Sequence, residues 1–142
     1  MNRRLYVETS ALLRVLLDGD RALRPALSGE GLFSSVLTFV EAARAISRAK
    51  RLGQLNAGEA RQAEQQLAAF ERSCDTIALH DEVLRRARRD FPHEPVRSLD
   101  ALHLASLLVL DDALGGFEIA SCDERVRRNA VALGYAVIPA KA

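Results

Sequence analysis

The sequence predicts an α/β fold of three layers, α/β/α, with a central, mostly parallel β-sheet in one domain spanning residues 1–142. Three observations predict it. Short β-favouring apolar runs alternate with segments of helical period from one end of the chain to the other. Helices or helix pairs separate successive strands, which is the pattern of crossover connections between parallel neighbours. The chain is long enough for one sizeable core and too short for two, with no linker, repeat or low-complexity stretch.

The elements follow in order. Arg4 to Val7 reads as a strand, and Glu8-Thr9-Ser10 caps a helix from Ala11 to Leu17 that Asp18-Gly19-Asp20 breaks. Arg21 to Leu27 is a weaker helical stretch interrupted by Pro25, and Ser28 to Gly31 is a turn. Leu32 to Leu37 is the second strand. Thr38 then opens a helix to about Arg51, with Glu41 three residues on in the form of a capping box and Gly53 as the stop. Gly58 to Ser73 is helical with Leu67 and Phe70 on one face, Thr76 to Leu79 is a strand, and Asp81 to about Asp90 is a helix. A loop over Phe91 to Pro95 leads to Ser98, the expected cap of a helix from Leu99 to Leu110 whose near-continuous apolar sequence implies burial on most sides. Gly115-Gly116 turns the chain into a strand over Phe117 to Ser121. A helix over Asp123 to Leu133, stopped by Gly134, and a strand over Tyr135 to Ile138 complete the order.

Composition excludes several classes. Apolar residues make up 49% and charged residues 27%, which is globular rather than disordered. No run approaches the roughly 20 apolar residues that span a bilayer, so a cytoplasmic protein with no membrane segment is expected. Cys74 and Cys122 have no CxxC spacing and read as reduced structural thiols, which disfavours zinc. The net charge of +1 rules out a polycation, yet the basic residues are bunched. They form the runs Arg44, Arg48, Lys50, Arg51; Arg85, Arg86, Arg88, Arg89; and Arg125, Arg127, Arg128. Each run alone suits a solvated helix face. Together they suit a phosphate-binding rim, with Arg44, Arg48 and Arg125 the candidates for contacting a nucleic-acid backbone.

Four acids sit where strands hand over to helices: Glu8, Glu41, Asp100 and Asp123. In an open α/β sheet the carboxyl ends of the strands form the ligand crevice. Carboxylates gathered there repel one another unless a cation stands between them, and a hard oxygen donor set points to Mg²⁺ or Mn²⁺. Each acid also has a structural explanation. Glu41 completes a capping box, Asp100 and Asp123 sit at helix starts worth roughly 0.3–1 kcal/mol each, and Glu8 ends a strand at the surface. Asp100 is the most telling, because it lies in the first turn of the most buried helix, where a charge needs a partner. Ser10 is expected to cap a helix or to donate to the acids from behind, and His103 to be a packing histidine. No glycine-rich phosphate loop and no aromatic platform for bases is present.

These residues resemble a known family. Tyr6-Val7-Glu8-Thr9-Ser10-Ala11-Leu12-Leu13 resembles the opening motif of PIN-domain ribonucleases. Ser35 to Glu41, Ser98 to Ala105 and Ser121 to Val126 resemble that family's later acidic motifs, in the same order and spacing from about Leu5 to Ile138. The short single-domain length is similar to the VapC-type toxins of bacterial toxin–antitoxin pairs. The resemblance implies a PIN-like sandwich and a Mg²⁺- or Mn²⁺-dependent endoribonuclease, homodimeric and neutralised by a small VapB-like antitoxin. Its four acids fall on Glu8, Glu41, Asp100 and Asp123, which would hold the cation and activate water against an RNA phosphodiester. Glu8 departs from the family, which has aspartate there. The extra methylene moves the carboxylate by roughly 1.5 Å, and no compensating change is visible in the sequence. The expectation is therefore an impaired site that Glu8→Asp would improve. The alternative to the enzyme is a PIN-fold protein without turnover that binds an antitoxin or RNA.

Overall fold

The computed structural model describes residues 3–142. Five strands, β1 (Arg4–Val7), β2 (Leu32–Ser35), β3 (Asp75–Ile77), β4 (Phe117–Ala120) and β5 (Val137–Ile138), form one sheet in the order β3–β2–β1–β4–β5, with every pairing parallel. Alternation along β1 divides the core. Leu5 and Val7 point to one face and pack with α1 (Thr9–Leu16), α2 (Val36–Arg51) and α3 (Ala57–Ser73) through Leu12, Ile46, Leu67 and Phe70. Tyr6 points to the other face, toward α5 (Ser98–Leu114) and α6 (Glu124–Ala132), where Leu104, Leu107, Ile119 and Val126 are fully buried. On that same side α4 (Asp81–Ala87) packs on α5 through Val83 and Ala105. The result is the three-layer sandwich that the alternating pattern predicts.

The strand order reverses beside β1. The chain leaves β1 toward β2 and β3 on one side, then crosses to β4 and β5 on the other. The crevice outside the ends of β1 and β4 is thus the topological switch point, the place where such sheets bind ligands.

Element boundaries differ from expectation where side chains compete for the backbone. Strand β2 stops at Ser35, whose hydroxyl accepts the Leu37 amide at 3.1 Å and starts α2 at Val36. The expected capping box of Thr38 and Glu41 therefore does not form. Thr38 is buried and its Oγ1 lies 2.7 Å from Ser34 Oγ, which donates to the Val7 carbonyl at 2.7 Å and ties α2 to β1. Ser98 is the first residue of α5 rather than its cap; Arg97 holds the cap position without a side-chain bond, and the helix runs on to Leu114. Arg21 to Leu27 yields only a 3-10 turn over Arg24–Leu27. Asp20 accepts the amides of Ala22 and Leu23, so the first residues are held in a turn, and Pro25 limits what remains. Among the described residues no helix is long and apolar enough to cross a membrane.

One turn is set by close approach. Gly31 has φ +76°, and its carbonyl accepts the Leu5 amide at 2.8 Å. A β-carbon there would stand 2.1 Å from the Arg3 carbonyl oxygen, whereas one at Gly29, φ +92°, would meet nothing within 4 Å. Gly29→Ala should lose only the roughly 1–2 kcal/mol of a left-handed alanine. Gly31→Ala should lose clearly more, because the β1–β2 register must also shift. Urea unfolding of the two variants measures the difference, and equal losses would refute the close-approach argument.

Candidate active site

Glu8 leaves β1 at the switch point and becomes the N-cap of α1, its Oε2 accepting the Ser10 amide at 2.9 Å. It is not a surface residue: 5% of it is exposed. Its Oε1 accepts two hydroxyl protons, from Ser10 at 2.5 Å and from Ser121 at 2.6 Å. Each hydroxyl has one proton to give, so its oxygen is left to accept. Ser10 Oγ takes the Cys122 amide at 2.8 Å, and Ser121 Oγ takes the Asp123 amide at 3.2 Å. The carboxylate thus holds two consecutive amides of the loop after β4 through two serines. Ser121 joins Ser10 here, a pairing that the sequence did not reveal, and the two hydroxyls meet a glutamate-length side chain.

Glu41 stands in the second turn of α2, partly buried. Its Oε1 accepts Thr9 Oγ1 at 2.7 Å and lies 2.7 Å from His103 Nε2. Burial alone would raise this carboxyl, but the bonds from His103 and Thr9 outweigh it and leave the group below the usual carboxylate value. His103 is 1% exposed. Its role goes beyond packing: Nδ1 lies 2.8 Å from the Tyr6 hydroxyl, and Nε2 also lies 3.2 Å from Thr9 Oγ1. Burial, and after it the charge of Glu8, pushes the Tyr6 phenol well above its ordinary value.

Asp100, one turn before His103 on α5, is the electrostatic centre of the group. Burial raises its carboxyl, Asp123 and Glu8 raise it further, His103 opposes, and Glu41 adds a smaller push upward. Asp123 caps α6, its Oδ1 accepting the Val126 amide at 3.0 Å. The charges of Glu8, Glu41 and Asp123 therefore all reach Asp100. Among the described residues no three acids, histidines or cysteines stand close enough to form a ready-made cation cage. The donor chemistry nevertheless suits a hard cation. Asp100 has no side-chain bond, and one oxygen each of Glu41 and Asp123 is uncommitted among the described residues.

The basic candidates divide. Arg44 and Arg48 are exposed on α2, one and two turns beyond Glu41. Arg125 lines a separate cavity of about 190 Å³ with Arg128, Asn129 and the loop at His93–Pro95. Two further arginines border the loop that carries Asp123. Arg14 lines a cavity of about 320 Å³ with Ser10, Cys122 and Asp123, and Arg127 donates to the Ser121 carbonyl at 2.8 Å and to the Ala140 carbonyl at 3.2 Å. Both arginines pull down the Cys122 thiol that burial raises. The second basic run lies elsewhere, where Arg85, Arg86 and Arg89 line a cavity of about 580 Å³ between α4 and α5. Sequence spacing offers a signal for His103, one turn after Asp100, and strand alternation one for Tyr6, placed on the face opposite Leu5 and Val7.

The raised Asp100 carboxyl makes a prediction for the cation-free protein. An acid whose folded pKa lies above its unfolded one lowers stability once it ionises, so the penalty is absent below the unfolded value and complete above the folded one. Asp100→Asn should therefore be more stable than wild type at neutral pH. The gain should vanish as pH falls below the ordinary carboxylate value of about 3.9. Chelator-treated denaturation curves across that range test this, and a gain that persists in acid would remove the repulsion argument.

The sequence profile of the PIN domain matches residues 5–132. Among curated proteins none matches the chain significantly in sequence. Similar solved structures include a toxin–antitoxin complex from Klebsiella pneumoniae, 17% identical with a TM-score of 0.64, covering 98% of this chain and 99% of that one. VapBC2 from Rickettsia felis, bound to a DNA fragment from its promoter, is 9% identical with a TM-score of 0.66 over 94% and 96% of the two chains. PAE2754 from Pyrobaculum aerophilum is 22% identical with a TM-score of 0.63 over 95% and 83%. At these identities the structures speak for the fold, and the profile, covering most of the chain, speaks for the family. With its acids gathered at the switch point of an all-parallel sheet, this chain belongs to the PIN-domain family.

Proposed function

We propose that the protein is a Mg²⁺- or Mn²⁺-dependent endoribonuclease and the toxin of a toxin–antitoxin pair, homodimeric and held by a small VapB-like antitoxin. The observation that carries the nuclease reading is Asp100, a partly buried carboxyl without a side-chain hydrogen bond among the described residues, raised by burial and then by the three other acids of the crevice. Repulsion of that kind is tolerated where a cation occupies the site. The toxin reading is supported by the fold shared with a toxin–antitoxin complex and with VapBC2.

Asp100, the uncommitted oxygens of Glu41 and Asp123, and Oε2 of Glu8, which takes a single amide, are the groups that would hold the ion. A bound divalent ion supplies a more acidic water and neutralises charge on the scissile phosphate. The chain's own residues do the rest. Glu8, through Ser10 and Ser121, fixes the loop that carries Asp123. Glu41, on the side of the crevice facing α5, is placed to orient water. Arg14, which shares a cavity with Asp123, and Arg44, Arg48 and Arg125 offer guanidinium groups to the RNA backbone without reading its sequence.

The protein should cleave RNA in Mn²⁺ or Mg²⁺ and lose that cleavage with chelator. Asp100→Asn should lower it by roughly 100-fold or more, as expected for a residue that orients the reacting centre. A calorimetric titration showing unchanged Mn²⁺ affinity in Asp100→Asn would take Asp100 out of the metal site.

A second reading, a PIN-fold module that binds RNA or antitoxin without turnover, is favoured by one observation: both Glu8 oxygens are already hydrogen-bonded. Glu8→Asp separates the two. The serines fit glutamate, so shortening the side chain withdraws their acceptor and should lower cleavage by about ten-fold or more. Cleavage that rises in Glu8→Asp would restore the impaired-site expectation, and silence of both proteins in both cations would favour the binding module.

A further inference from the structure

We propose that Tyr6 and His103 are positioning residues for Glu41, an inference that rests on the cation site proposed above. They form a buried relay that ties up one oxygen of that carboxylate and reserves the other for the crevice. The direction of the bond to Glu41 is fixed whatever the charge on the ring. A carboxylate oxygen can only accept, so His103 Nε2, 2.7 Å from Glu41 Oε1, carries a proton and donates it. In the neutral ring Nδ1 is then bare and accepts from the Tyr6 hydroxyl at 2.8 Å. Thr9 Oγ1 donates to the same Glu41 oxygen at 2.7 Å, and its own lone pair faces the Nε2 proton at 3.2 Å. Oε1 therefore accepts two protons, while Oε2 has no partner among the described residues.

The relay crosses the layers of the fold. Tyr6 belongs to β1, His103 to α5, Thr9 to α1 and Glu41 to α2. Tyr6 and His103 are fully buried, and their rings meet edge to face with centroids 6.0 Å apart. Neither ring is free to turn without leaving a polar atom unsatisfied in the core. Rotation of Glu41 would break two bonds at once. Its uncommitted oxygen is thereby held against the same crevice as Asp100, which feels the Glu41 charge. Removing the Tyr6 hydroxyl alters nothing that touches Glu41 directly; its side-chain partners are His103 and Ser106, and of these the imidazole is the one that bonds Glu41. That separation gives the inference its test.

Long-range ¹⁵N correlation spectra of the histidine rings should show His103 protonated at Nε2, with His80 and His93 as references in the same spectrum. This readout needs neither cation nor RNA, so it stands even if the nuclease reading fails. A Nδ1–H tautomer would overturn the relay. Tyr6→Phe should weaken Mn²⁺ binding by roughly ten-fold, the lower end of what outer-shell partners contribute, and should lower kcat with little change in KM. In a Glu41→Gln background the same substitution should weaken Mn²⁺ binding no further. Equal losses in both backgrounds would mean that Tyr6 acts on the core and not through Glu41. Should Tyr6→Phe fail to fold, His103→Gln takes its place, since its amide can both donate to Glu41 and accept from Tyr6. It should retain more Mn²⁺ affinity than His103→Ala, and indistinguishable affinities would refute the positioning role.

Discussion

Burying negative charge at the end of the central strand is the constraint on which the rest of this structure depends. An ionised carboxylate taken out of water has to be given hydrogen bonds or a counter-charge, or it will protonate. Glu8 and Glu41 are given hydrogen bonds, from serines in one case and from threonine and histidine in the other. Asp123 is given a helix start. Asp100 also stands in the first turn of a helix but takes no side-chain hydrogen bond among the described residues, and burial, then Asp123 and Glu8, raise its carboxyl. The four acids are thus treated unequally, three of them fixed by hydrogen bonds and the fourth without one.

Much of the fold is legible in the sequence because strand and helix periods differ so sharply. Tyr6 and Val7 in a short apolar run, the alanine- and glutamine-rich stretch to Ser73 and the apolar helix after Ser98 all declare their type locally. The boundaries are less legible, since several polar residues can each cap a helix. Ser35 and Thr38 are equally good caps in isolation. Ser35 prevails because Ser34 and Thr38 are drawn inward to the Val7 carbonyl, a contact between segments far apart in the chain. Similarly, α5 outruns its expected end because Asp111 accepts the Tyr135 hydroxyl at 3.0 Å and Asp112 is exposed, so neither charge harms the buried side.

The candidate site divides in the same way. The order of the four acids along the chain can be read directly, because each follows a recognisable strand or opens a recognisable helix. What holds them cannot. The partnership of Ser10 with Ser121 spans 111 residues, and that of Tyr6 with His103 spans 97. Neither leaves a local signature, since serines after a strand and a histidine on a buried helix have many ordinary uses. Arg14 was passed over for the same reason: an isolated arginine on a short helix gains meaning only when the loop at Cys122 closes beside it.

The serine lock also decides how far a change in its carboxylate travels. Ser10 and Ser121 spend their only protons on Glu8 and their lone pairs on the backbone of the following loop, so three positions share one electrostatic arrangement. A carboxylate one methylene shorter at position 8 would draw back from both hydroxyls at once, since the two serines meet the same oxygen. The amides of Cys122 and Asp123 would then rest on hydroxyls without their anchor. A change at position 8 is therefore felt first in the loop after the fourth strand, and only through that loop at Asp123.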